Sequence, residues 1–160
     1  MFNTKNDLSE GTRVKAIALL GARLADAIDL QTQTKQAHWN VKGPNFIALH
    51  ELFDKINEDV EDYVDDLAER VVQLGGVAEG TLRMAAKRTS LSEYPANAVD
   101  GRSHVDALSS VLAAFGKAVR KAINDANDIG DLDTADLFTE ISRGIDKWLW
   151  FVEAHQQADR

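Results

Sequence analysis

From residue 49 to residue 74 the apolar side chains fall in alternating steps of four and three: Leu49, Phe53, Ile56, Val60, Tyr63, Leu67, Val71 and Leu74. A strand repeats every two residues, so a stripe of this period kept up over four heptads demands a long helix with an equally long apolar partner surface. Gly43-Pro44 stands before the stripe and Gly75-Gly76 closes it, which predicts a helix over about 45–74.

Three more segments supply the partners. A first helix is expected from Ser9, a residue suited to cap it, to about His38, with Ile17, Leu20, Leu24 and Ile28 on its stripe. A third is expected over about 103–127 through Val105, Leu108, Leu112, Phe115, Val119 and Ile123. A fourth is expected over about 132–154 through Leu137, Ile141, Ile145, Trp148 and Val152. Residues 77–101, with Pro95 and Gly101, form a connection long enough to hold a short helix and to let the helices on either side run in the same sense. The expected architecture is all-α: one domain over 1–160, a four-helix bundle of the ferritin-like kind with a long middle crossover, a short flexible tail at 1–8 and another at 155–160.

Composition narrows the functions. Without cysteine there is neither a disulfide framework nor a thiolate metal site. No apolar run approaches the length of a membrane span and no secretory leader is evident, so a soluble cytoplasmic protein with no membrane partner is expected. A formal charge of −8 disfavours nucleic acid and anionic lipid and favours cations.

On the second helix His50, Asp54, Asp65 and Glu69 share an arc of about 100°, centred roughly 140° from the apolar seam, so they face away from the subunit's own core. Imidazole nitrogen with carboxylate oxygen suits Fe(II), Mn(II), Zn(II) or Co(II). Asp54 and Asp65 stand eleven residues apart, however, about 16 Å along the axis, too far to share an ion. The spacing is mirror-symmetric: 54 and 65 average to 59.5, as do 50 and 69. A second copy packed antiparallel across a two-fold axis near Asp59 and Val60 would therefore bring His50 and Asp54 of one chain to Asp65 and Glu69 of the other, twice over. Extending the first helix's seven-residue step from Ile17 and Leu24 reaches Gln31 and His38, a second histidine aimed inward or at an interface. The bland alternative is a solvated acidic face shared with Glu51, Glu58, Glu61, Asp62 and Asp66. No histidine has a glutamate three residues before it, which removes the Glu-x-x-His pattern of an intra-bundle di-iron site.

At these residues the chain resembles the Dps family of mini-ferritins. The likeness lies in Thr34-Lys35-Gln36-Ala37-His38-Trp39-Asn40-Val41-Lys42-Gly43, Asn45-Phe46-Ile47-Ala48-Leu49-His50-Glu51, Ala68-Glu69-Arg70 and Gln73-Leu74-Gly75-Gly76. It runs on through Asp133-Thr134-Ala135-Asp136 and Asp146-Lys147-Trp148-Leu149-Trp150-Phe151. The resemblance implies a hollow homo-dodecamer with dinuclear iron sites at its two-fold interfaces. His38, His50 and Asp54 would come from one subunit, and Asp65 and Glu69 from its partner. It implies ferroxidase activity, with Fe(II) and hydrogen peroxide, or more slowly dioxygen, as substrates, and ferric mineral stored in the cavity. Zn or Mn are possible substitutes for iron.

Trp39 is open to two readings, a packing residue or an electron donor. In the acidic bend Asp131 and Asp133 are open to reading as caps and dipole partners of the next helix or, together with Asp128 and Asp136, as the lining of a cation pore; the resemblance implies Glu58, Glu61 or Asp62 as a nucleation residue. DNA binding is the doubtful part of the resemblance, since residues 1–8 carry one lysine offset by one aspartate. The basic clusters Arg83, Lys87, Arg88 and Lys117, Arg120, Lys121 are small. A DNA-compacting shell without catalysis and a cage for another divalent metal are the competing functions.

Overall fold

In a computed structural model, which describes residues 1–158, five helices account for most of the chain: α1 Glu10–Asn40, α2 Phe46–Gln73, α3 Leu82–Arg88, α4 Gly101–Asp128 and α5 Leu132–Glu153. Ser9 caps α1 by accepting from the Thr12 N–H at 3.1 Å, and Asp100 caps α4 in the same way through Ser103. Both side chains satisfy a backbone donor that the first helical turn leaves without a partner. Gly75 ends α2 at φ +86°, where a Cβ would lie 2.6 Å from the Phe2 carbonyl oxygen, so a side chain is excluded on both counts. Phe2 in turn donates its N–H to the Gly75 carbonyl. Of the expected tail at 155–160, the last two residues lie outside the described residues.

Paired residues fix the directions. His38 meets His50, Lys35 meets Asp54, and Gln31 meets Asn57, so α1 and α2 are antiparallel. Arg23 reaches Ala118 and Thr12 reaches Ile129, which sets α4 antiparallel to α1 and hence in the same sense as α2, as the long crossover predicts. The crossover is held by Asp26, a fully buried carboxylate on α1 that accepts from the Ser90 N–H at 2.6 Å, from the Ser90 hydroxyl and from Arg23. Buried charge persists because every lone pair has a donor.

Phe53, Phe115, Phe138, Leu20, Leu24, Ile56, Leu67, Leu108 and Ile141 fill the centre. The α5 seam differs by one position from the expectation: Phe138 is fully buried and Leu137 only half so, giving 138, 141, 145, 148 and 152 as the core line. Among the described residues no helix is long and apolar enough to cross a membrane.

Candidate metal centre

His38 lies in the last turn of α1 and His50 in the second turn of α2, where the tight connection 41–45 brings the two helix ends together. Their rings stack, with centroids 3.7 Å apart and planes 21° off parallel. Each ring is bonded to the other residue's backbone: His38 Nδ1 lies 2.8 Å from the His50 carbonyl oxygen, and His50 Nδ1 lies 2.8 Å from the His38 carbonyl oxygen. A carbonyl only accepts, so each Nδ1 carries a proton and Nε2 is the ring nitrogen left to bind a metal. This reciprocal clasp fixes ring orientation and tautomer together, the arrangement that metal-ligating histidines need.

One turn beyond His50, Asp54 sets its Oδ1 3.8 Å from His38 Nδ1. The same oxygen is ion-paired with Lys35 Nζ from α1. The ammonium, followed by the field of His38, holds the Asp54 carboxyl below the ordinary carboxylate range. Below Asp54 on α2, Asn57 is nearly buried and donates to the Gln31 carbonyl at 2.7 Å, bolting α2 to α1 in register.

Asp65 and Glu69 are exposed farther along α2 and do not join this cluster within the chain. Among the described residues of the single chain, no three His, Asp or Glu side chains surround a common point suited to a metal ion. What the subunit presents is two half-sets on one helix face, with the histidine half built and the acidic half open to solvent.

The acidic bend resolves residue by residue. Asp131 is 1% exposed and accepts from the Thr134 N–H at 3.1 Å, from the Thr134 hydroxyl at 2.6 Å and from Arg70 Nη2 at 2.9 Å. It is the cap of α5 and has no free oxygen facing solvent. Asp128, Asp133 and Asp136 are exposed, as are Glu58, Glu61 and Asp62. Trp39 is 69% exposed and does not pack in its own subunit's core.

A description of the ferritin-like domain matches residues 17–160. A DNA protection during starvation protein from Agrobacterium fabrum is 47% identical over 154 residues, which cover 96% of this chain and 95% of that one. The chain belongs to the Dps family. A Mycolicibacterium smegmatis protein of the same name is 35% identical over 140 residues, 88% of this chain and 76% of that one. Among solved structures, Mycobacterium smegmatis Dps superposes with a TM-score of 0.94 at 33% identity, covering 99% of this chain and 90% of that chain. DpsA14 from Streptomyces coelicolor does so with 0.92 at 35%, covering 98% and 92%.

Two features of this Dps subunit escaped the sequence reading: the Lys35 ion pair and the Asn57 bolt. Both follow from the antiparallel register of α1 and α2. Once His38 faces His50, residues whose numbers add to nearly the same sum meet, and 35 with 54 and 31 with 57 are such pairs.

Proposed function

We propose that this chain is an iron-storing ferroxidase that works as a homo-dodecamer, its catalytic sites shared across two-fold subunit interfaces. The observation that supports this reading is the reciprocal His38–His50 clasp, which engages Nδ1 of both rings and leaves their Nε2 atoms to a metal, with the Asp54 carboxylate beside the His38 ring. Asp65 and Glu69 of the second copy complete the donor set by the mirror symmetry of the spacing about residue 59.5. The resulting set of two neutral imidazoles and three carboxylates binds two Fe(II) as substrate and favours the harder ferric product through its oxygens. The reaction balances as two Fe(II), one hydrogen peroxide and two protons giving two Fe(III) and two waters, so the oxidant is consumed without releasing a radical.

Protection of DNA, which the relatives' names state, is read here as chemical rather than architectural. Half of the residues in the two small basic clusters are engaged in ion pairs: Arg120 with Asp146 at 2.9 Å, Lys121 with Asp125 at 2.6 Å, and Arg88 with Glu79. Twelve chains of charge −8 repel the polyanion further. The proposed setting is the cytoplasm, with Asp128, Asp133 and Asp136 as candidates for the cation route.

An anaerobic Fe(II) titration of the assembly, followed by peroxide in one aliquot and air in another, tests the reading through ferric absorbance. Two Fe(II) consumed per peroxide in a fast phase is the expected result. Oxidation no faster than in buffer, or unchanged in a His38→Ala/Asp65→Ala double variant, overturns it. Retention of plasmid in a low-salt gel shift would favour the DNA-compacting shell instead.

A further inference from the structure

Every side chain of the histidine half-site has a use in metal binding except Lys35. It stands one turn before His38 on α1, reaches across to α2, and pairs with the Asp54 oxygen that faces His38. The two side chains are 34% and 38% exposed, so water does not fully screen the pair. A cation thus already sits on an oxygen that the proposed metal site needs. The donor set would hold three carboxylate charges with two neutral imidazoles, and Lys35 offsets one of the three before any metal arrives.

We propose that Lys35 is a specificity-determining residue of the metal site, a resident counter-cation that a divalent metal must displace from Asp54 and whose charge opposes retention of the oxidised product. The inference rests on the ferroxidase reading. Repulsion scales with the product of the charges, so a fixed ammonium opposes a trivalent ion half again as strongly as a divalent one at the same place. A storage protein needs that bias, because ferric ion held at the oxidation site blocks the next turnover. Lys35 therefore lowers affinity at the site and favours transfer of product to the cavity.

Cobalt(II) is the probe, bound without turnover in the absence of oxidant. Anaerobic titration of the assembled protein is expected to show binding about tenfold or more tighter in Lys35→Gln, with Lys35→Met as a second neutral variant, and near wild-type binding in Lys35→Arg. A structural role would give the reverse, weaker binding on loss of the ion pair. Acylation of Lys35, followed by mass spectrometry, is expected to speed up several-fold when cobalt displaces the ammonium. Equal or weaker cobalt binding in both neutral variants, or Lys35 labelling unchanged by cobalt, overturns the proposal. The His38→Ala/Asp65→Ala double variant separates the two levels. If it still binds cobalt as wild type does, the site itself is wrong; if it loses cobalt while neutral Lys35 variants bind as wild type, the site stands and the role of Lys35 falls.

Discussion

Two histidine environments in this subunit share a design and differ in one respect. At the α1–α2 junction His38 and His50 stack on each other and commit Nδ1 to a carbonyl. On α4 His104 lies against Tyr94 of the crossover, with Nδ1 2.6 Å from the tyrosine hydroxyl, and its Nε2 has no hydrogen-bond partner among the described residues. Both arrangements leave Nε2 uncommitted. His104, however, is fully buried beside Phe53, whereas His38 and His50 are only partly buried and a carboxylate lies beside the His38 ring. An uncommitted imidazole nitrogen becomes a ligand only where a cation reaches it without shedding all its water and where negative charge waits nearby. The core histidine fails the first condition, being fully buried, and its hydrogen bond to Tyr94 ties the crossover to α4.

The sharpest way to break this contrast is to mix defective subunits. His38→Ala and Asp65→Ala assemblies are each expected to lose at least about 100-fold in the fast ferroxidase phase. When the two are dissociated, mixed equally and reassembled, each heterodimer has one site with both defects and one intact site. Random pairing then restores about a quarter of the wild-type sites. Stopped-flow ferric absorbance reads the recovery, and no recovery means that the site lies within one chain. By contrast, His104→Ala should oxidise iron within about twofold of wild type per assembled shell. It should cost stability by about 2–4 kcal/mol, through the cavity in an otherwise filled core, measurable by denaturant unfolding.

A middle-sized effect concerns acid. Burial holds the His104 pKa below its ordinary value, outweighing the Asn40 carbonyl and the Asp100 carboxylate, which favour the charged ring. Above pH 6.5 both folded and unfolded chains carry this histidine neutral. As pH falls below 6.5 the unfolded chain takes a proton that the folded chain refuses, so stability drops until the folded pKa is reached. The slope from this group is at most about 1.4 kcal/mol per pH unit. It should appear as the difference in pH profile between metal-free wild type and His104→Gln in urea melts from pH 7.5 to 5; identical pH profiles for the two proteins would contradict it. Tyr94→Phe keeps the ring packing and removes the hydroxyl partner, at about 1–2 kcal/mol.

The bundle was legible because its signals are periodic. The four-three steps of α2, the glycine pair that ends it and the acidic caps each act over a turn or two, and the length of the crossover dictates the relative sense of α2 and α4. On α5 the reading slipped from Phe138 to Leu137, since adjacent apolar residues both fit a stripe and only the neighbouring helices choose between them. Asp131 illustrates a second kind of limit. Its capping role is written in the Thr134 three residues on, but the Arg70 that saturates it comes from 61 residues away. Lys35 was hidden for the same reason, and so was the burial of His104: sequence spacing shows which residues share a helix face, whereas pairing across helices depends on their register.

The smallest expected effect tests what holds that register at the site. Asn57 donates to the Gln31 carbonyl at 2.7 Å and approaches Thr34 Oγ1 at 3.4 Å, one turn beyond Asp54. Asn57→Ala removes both interactions and should cost about 1 kcal/mol, lowering the midpoint of metal-free thermal unfolding by about 2–4 °C. Cobalt affinity, in contrast, should stay within about twofold. The clasp is local, two ring-to-backbone bonds across a short connection whose geometry is set by Gly43 at φ +116° and the buried Val41. A loosened helix pair one turn away shifts these atoms little while the connection is intact. A loss of cobalt affinity that keeps pace with the loss of stability would mean that α1–α2 register, and not the clasp, orients the two imidazoles.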